Sequence, residues 1–297
     1  MINSIAYYLV YGWMYLHALL PFRALYVLSD IFRFFVYHVI GYRLKTVRKN
    51  LKNAFPAKSE AELKKLEKDF YRHFCDCFVE TMKLLHITDE EMLRRMRYKN
   101  MDVIYDILKS GNSCLVYLGH YGNWEWVPSI TLMFDKNIQL AQIYKRLRNK
   151  VFDRLFLKIR SRFGSMGIAK EDTLRAIVRM KRKGKQAVVG FIADQTPRYS
   201  NINYWTTFLN QDTPVFTGAE RIARQTGFGV AYLDITKTGR GRYEAECRLI
   251  TDNPQTEPEY AITERYARLF EETVLRNPAN WLWSHNRWKH RKEDVAQ

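Results

Sequence analysis

SCLVYLGHYGNWEW, residues 113 to 126, decides the fold: an apolar run of strand length stops at a glycine, and a histidine, a second glycine and a glutamate follow at 120, 122 and 125. On a continuous helix five residues turn about 500°, which sets His120 and Glu125 on different faces. A bend at Gly122 and Asn123 removes that objection. With SCLVYLG as a strand, His120 falls just past its carboxyl end, where open α/β sheets present their sites, and Glu125 begins the next helix. Such a bend can return the carboxylate against the imidazole. A carboxylate on one ring nitrogen fixes the tautomer and stabilises the imidazolium, leaving the other nitrogen as a general base near neutral pH. The competing reading gives His120 only a capping or backbone contact in a glycine-rich turn.

The sequence on either side decides between a sheet and a helical bundle. IQLAQIY (138–144), QAVVGFIA (186–193), GVAYLDI (229–235) and YEAECRLI (243–250) are further runs of strand length rich in β-branched or aromatic residues. Helical spacing fills most of the intervals, at roughly 100–110, 123–134, 149–163, 171–183, 215–226 and 257–276. A long helix over 59–86 opens on a Ser59-x-x-Glu62 capping box and carries Leu63, Leu66, Phe70, Phe74, Phe78 and Met82 at helical intervals. The expected class is therefore α/β, a mostly parallel central sheet flanked by helices, with the last two strands joined as a hairpin around Thr238–Gly241. Neither a repeat nor a low-complexity linker divides the chain, so residues 43–297 read as one catalytic domain behind an N-terminal part, 1–42.

That N-terminal part carries the partner information. Residues 1 to 22 contain no Asp, Glu, Lys or Arg, and IAYYLVYGWMYLHALL is about as long as a bilayer span. Tyr7, Tyr8, Tyr11, Trp13 and Tyr15 favour a tilted or partly inserted helix, and residues 24–42, with Asp30, Arg33 and His38, read as an amphipathic surface helix. The alternative is two helices packed on a soluble core. No basic leader or small-residue cleavage site marks a secretory signal, so the segment is expected to be retained. Arg43, Lys45, Arg48, Lys49 and Lys52 place that side in the cytoplasm. The whole 297-residue chain carries 48 Lys and Arg against 31 Asp and Glu, a net charge of +17. Such a surplus suits an anionic membrane, a nucleic acid or an acidic substrate.

Several chemistries lack their residues. There is no Walker loop, dinucleotide fingerprint, clustered metal ligands or G-x-S-x-G elbow, so neither metal nor cofactor is expected. Cys75, Cys77, Cys114 and Cys247 have no zinc-site spacing and read as reduced thiols, Cys114 inside the strand before His120. Direct attack by a substrate hydroxyl fits better than a covalent enzyme. Aromatics interleaved with cations in NWLWSHNRWKHR (280–291) also describe a single-stranded nucleic-acid platform, but no RNA-binding signature accompanies them. Trp281, Trp283 and Trp288 are instead expected on the core or at lipid headgroups, and His285 in a structural role.

The order of these motifs resembles the late acyltransferases of lipid A biosynthesis, within the glycerolipid acyltransferase superfamily marked by His-x4-Asp/Glu. YRLKTVRKNLKNAFP (42–56), GHYGNWEW (119–126), IYKRLRNKVFDRLFLKIRSRFG (143–164), FIADQTP (191–197) and NPANWLWSHNRWKHR (277–291) carry the likeness over nearly the whole chain. The resemblance implies transfer of a fatty acyl group from acyl carrier protein to a hydroxyl of a phosphorylated glycolipid, the lipid A precursor, at the cytoplasmic face of the inner membrane. It makes His120 the base and Glu125 its orienting partner. Arg160 and Arg162 match the arginine pair of the second block and Asp194 the acid of the third, as substrate-binding residues. Guanidinium groups suit phosphate or a developing oxyanion; a solvated helix face is the plainer role for the pair. FIADQ departs from the commoner pattern, with no proline before the acid and glutamine after it, so capping a loop and orienting an arginine both remain open for Asp194. A lysophospholipid or aminolipid acceptor, and a non-catalytic adaptor on anionic membrane, are the alternative functions.

Overall fold

The computed structural model describes residues 2–293. Met1, in the expected N-terminal part, and residues 294–297, closing the expected catalytic domain, lie outside them. Five helices come first: α1 (Ile2–Leu19), α2 (Phe22–Phe34, continued by a π-helical turn Phe35–Val39), α3 (Leu44–Ala54), α4 (Glu60–Lys83) and α5 (Asp89–Arg95). Strands and helices then alternate through β1 (Met96–Lys99), α6 (Asp102–Lys109), β2 (Cys114–Leu118), a 3₁₀ helix (Trp124–Met133), β3 (Gln139–Tyr144), α7 (Lys150–Arg160), β4 (Met166–Ala169), α8 (Thr173–Arg182) and β5 (Ala187–Ile192). A short hairpin, β6 (Trp205–Phe208) and β7 (Gln211–Pro214), leads to α9 (Gly218–Thr226), the long hairpin β8 (Gly229–Gly239) and β9 (Arg242–Thr251), and α10 (Ala261–Arg276).

Seven strands make one sheet in the order β1-β9-β8-β2-β5-β3-β4. All neighbours pair in parallel except β8 with β9, so the sheet is mostly parallel, as the alternating pattern implies. β2 lies in the middle, between β5 and β8, and all its residues are buried. That burial on both faces is why the run reads as continuously apolar instead of alternating. The β8–β9 turn falls at Arg240–Gly241, where the positive φ of Gly241 and the Tyr26 hydroxyl beside it leave no room for a side chain.

Three expectations change in detail. Residues 124–133 form a 3₁₀ helix with Pro128 inside it, because a proline lacks the N–H and blocks the carbonyl geometry a regular α-helix needs. The short strands β1, β4, β6 and β7 were not expected. α4 keeps its capping box, with the Glu62 N–H on Ser59 Oγ and the Ser59 N–H on Glu62 Oε2, but Phe78 stays 43% exposed.

No single helix among the described residues is long and apolar enough to cross a bilayer; the residues 22–39 and 44–54 pass such a test only together, and they bend by 89°. α1 lies along the protein instead. Tyr7, Met14 and Ala18 are buried against it, Arg154 and Lys158 of α7 stack over Tyr7 and Tyr11, and the Lys83 ammonium donates to the carbonyls of Ala18 and Leu20 at 2.8 Å, closing the helix end. The opposite face of α1 exposes Ile5, Tyr8, Leu9, Trp13 and Leu16.

Candidate active site

Parallel register builds the site. Leu118 at the end of β2 stands opposite Ile192 at the end of β5, so two residues beyond each strand His120 and Asp194 come off adjacent carboxyl ends at the same level. The imidazole Nδ1 lies 2.7 Å from Asp194 Oδ1. The other carboxylate oxygen accepts from the Trp281 indole N–H at 2.8 Å. Two glycines let the chain take this path. A side chain at Gly119 would enter the ring of Phe270, and Gly122, with φ of 58°, turns the backbone where Ile235 leaves no space. The C-terminal segment then clamps the turn: Leu282 N–H donates to the His120 carbonyl at 3.1 Å and Gly122 N–H to the Asn280 carbonyl at 3.0 Å.

The electrostatics fix the tautomer. Burial by itself would raise the Asp194 pKa, but the neighbouring His120 charge and the hydrogen bonds from His120 and Trp281 outweigh it and hold the carboxyl below its usual range. An ionised carboxylate only accepts, so Nδ1 carries the proton it donates, and Nε2 of the neutral ring presents a lone pair. The Gln195 amide lies 3.2 Å from that Nε2, and the Trp124 ring meets the imidazole edge-on at 5.2 Å. His120 is half-buried in this fixed orientation.

Glu125 does not take the place expected of it. The bend at Gly122 and Asn123 exists, yet the carboxylate faces Arg160 of α7, which donates Nε to Oε2 at 2.7 Å and Nη2 to Oε1 at 2.6 Å. Trp124 Nε1 adds a third donor at 3.2 Å. The carboxylate against the imidazole is Asp194. The reason is the fork of Arg160, which satisfies both oxygens of Glu125 while strand register has already filled Nδ1. Burial opposes the Arg160 charge, but Glu125 holds its pKa above the usual arginine range. Arg162 is elsewhere: it donates Nη1 to the Leu84 carbonyl at 2.8 Å, at the end of α4.

Residues of α4 support the turn from below. The fully buried Glu80 carboxylate accepts from Asn123 Nδ2 at 2.7 Å, Tyr243 OH at 2.8 Å and Tyr26 OH at 3.0 Å, and its backbone carbonyl accepts from Trp126 Nε1 at 3.1 Å. His73 Nε2 contacts the Gly122 carbonyl at 3.1 Å, with Lys237 Nζ 3.2 Å from Nδ1. Burial pushes the His73 pKa well down, so the ring is neutral, accepting from the ammonium and donating to the carbonyl. Sequence reading missed Glu80, His73, Gln195 and the hydrogen bond of Trp281. The available signal was in α4, where His73, Asp76 and Glu80 interrupt an apolar stripe at helical spacing and are buried.

Around Asp194, His285 Nε2 accepts from the Thr196 N–H at 3.3 Å, and burial lowers its pKa to about 4, so it is neutral at pH 7. Trp281 and Trp283 are buried and Trp288 donates to Thr213 Oγ1 at 2.7 Å, which places these three indoles on the protein core. All four cysteines are buried; burial raises the thiols, Cys75 and Cys247 to about 12 and Cys77 and Cys114 upward as well, so none is poised as a thiolate.

Comparison with known proteins follows the same line. The family profile described as bacterial lipid A biosynthesis acyltransferase matches residues 1–290. The chain is similar to lipid A biosynthesis acyltransferase 2 of Shigella flexneri, 22% identical over 160 residues, which cover 54% of this chain and 50% of that protein. A lipid A biosynthesis myristoyltransferase of Escherichia coli K12 aligns over the same length at 22%, covering 49% of that protein. Against both, the chain spans about half the length of its relative. The lipid A biosynthesis palmitoleoyltransferase of Escherichia coli K12 aligns at 22% over 251 residues, 84% of this chain and 79% of that protein.

Proposed function

The chain belongs to the bacterial lipid A biosynthesis acyltransferase family, and from that premise we propose that it transfers a fatty acyl group from acyl carrier protein to a hydroxyl of a phosphorylated glycolipid in lipid A synthesis. The observation that carries this reading is His120 at the carboxyl end of β2 with Asp194 on Nδ1, because it leaves Nε2 as the base for an acceptor hydroxyl. In the reaction, Nε2 takes the hydroxyl proton as the oxygen attacks the thioester carbonyl; the tetrahedral oxyanion collapses, the C–S bond breaks, and the departing thiolate takes the proton back from the imidazolium. No acyl-enzyme forms. Asp194 orients the ring and stabilises its charged state, while Arg160, fixed by Glu125, holds a permanent positive charge near the motif for an oxyanion or phosphate. Arg162 acts at one remove, by securing the end of α4.

Residues 1–42 serve as an interfacial anchor and 43–297 as the catalytic domain, on the cytoplasmic face of the inner membrane. Exposed apolar side chains on α1, and Val27, Ile31, Phe34 and Phe35 beside them in sequence, support a membrane-facing surface, and the net charge of +17 supports anionic lipid and an acidic carrier protein as partners. Incubation of the purified chain with acyl carrier proteins bearing a series of chain lengths and a tetraacylated lipid A precursor is expected to add one acyl group to the precursor, and His120→Ala to abolish it. Product from the alanine variant at the normal rate would remove the base; no product with any chain, in either protein, would leave a different acceptor or the non-catalytic adaptor, which a panel of lysophospholipid acceptors divides.

A further inference from the structure

A cavity of about 730 Å³, lined by none of His120, Glu125, Arg160 and Asp194, opens between α2, α4 and the β8–β9 turn, within the size range of small-molecule sites. Its walls carry Arg33, Arg72, Lys237 and Arg240 against Asp30 and Asp76, a surplus of two positive charges. The acids are held most closely by one cation, with Lys237 Nζ a longer 3.8 Å from Asp76. Arg240 donates Nε to Asp76 at 3.0 Å and Nη2 at 2.7 Å, and reaches Asp30 through Nη1 and Nη2 at 3.1 and 3.0 Å. Asp76, fully buried, also accepts from Ser29 at 2.8 Å. The remaining cations are less well served. Arg72 has no ion pair among the described residues; the Arg33 Nε is buried without a hydrogen bond, and Asp30 is 3.9 Å away. Two charges of surplus at an open mouth match the two charges of a phosphate monoester.

The rim says how such a group arrives. The helix that lends Asp30 and Arg33 turns Val27, Ile31 and Phe34 to the outside, each at least half exposed, and Phe78 on α4 is exposed where it meets Phe32 at 5.2 Å. A cationic cavity edged by bare apolar side chains suits a headgroup whose chains stay in a bilayer. β8 runs on past the end of β2, so Lys237 stands on the same carboxyl edge of the sheet as His120. We propose that this cavity binds the terminal phosphate of a membrane lipid, as a site separate from His120; the inference rests on the membrane-facing reading of α2.

The test uses the full chain and vesicles of phosphatidylcholine doped with phosphatidic acid or, at matched total charge, with phosphatidylserine. Retention on phosphatidic acid is expected to be about tenfold stronger, the value of one charge-assisted contact, and Arg72→Gln and Arg33→Gln are each expected to remove most of that preference. Arg72 is exposed, so its variant keeps the fold, checked by its melting temperature. The same series in His120→Ala is expected to keep the preference, which separates this site from the proposed chemistry. Equal retention on the two charged vesicles, or a preference that survives both arginine substitutions, overturns the proposal. Heat on titration with inorganic phosphate, without any vesicle preference, overturns the lipid assignment.

Discussion

The two acids nearest the His-x4-Glu stretch meet their cations in opposite ways. Asp194 faces an imidazole, and it holds only one of the two ring nitrogens. Glu125 faces Arg160, a group that never titrates, and both its oxygens are taken. The first pair leaves Nε2 facing only the neutral Gln195 amide; in the second, neither oxygen of Glu125 is free. A short spacing in sequence therefore marks the neighbourhood of a site without assigning partners inside it, because both partners come from other strands and helices.

The largest expected effect tests the open pair. Asp194→Asn keeps the shape but carries no negative charge to stabilise an imidazolium, and its amide N–H lets the ring adopt the other tautomer; turnover is expected to fall by about 10³ to 10⁴, in line with comparable carboxylate–histidine pairs. A loss under about tenfold in the purified, folded variant would show that Asp194 does not orient the base. The closed pair should break differently. Glu125→Gln leaves Arg160 charged, largely buried and short of its counterion, and unfolding free energy is expected to drop by about 3 kcal/mol in denaturant titration, while turnover per folded molecule falls less than in Asp194→Asn. Equal kinetic losses from both variants would erase the distinction.

Smaller still is the contribution of the neutral histidine next to the site. The folded chain keeps His285 neutral down to about pH 4, whereas the unfolded chain protonates near 6.5. The unfolded state thus binds more protons between these values, so this contribution is full above pH 6.5 and fades as pH falls toward 4. His285→Asn should remove about 2 kcal/mol of pH-dependent stability across that interval, allowing for partial exposure. The same difference in unfolding free energy between pH 4.5 and 7 in the variant as in the wild type would place the histidine in a more solvated setting.

Much of the frame was legible because its signals are local. The buried run of β2, the capping box of α4 and the glycine-bearing β8–β9 turn each depend on residues close together in sequence. The short strand Met96–Lys99 carries two cations in its few residues and exists because β9 pairs with it, so no pattern of its own could announce it. At the site, His120 and the bend after it were readable, and the spacing singled out Glu125 as the acid against the imidazole, a place that Asp194 takes. Its partner was not, since the pairing of His120 with Asp194 follows from the register of β2 on β5, and that of Glu125 with Arg160 from the docking of α7. Glu80 escaped because an acid in a helix reads as solvent-facing until the neighbouring hydroxyls and amide are in place.

The central claim is that Asp194 sets the tautomer of His120, and ¹⁵N spectra of the imidazoles test it most directly, with the His120 signals assigned by their absence from His120→Ala. The pairing seen here predicts protonated Nδ1 and unprotonated Nε2 in the neutral ring of the wild type, the same pattern in Glu125→Gln, and a shift toward the Nε2–H tautomer in Asp194→Asn. A wild-type pattern in Asp194→Asn together with a shift in Glu125→Gln would contradict it and return the role to Glu125.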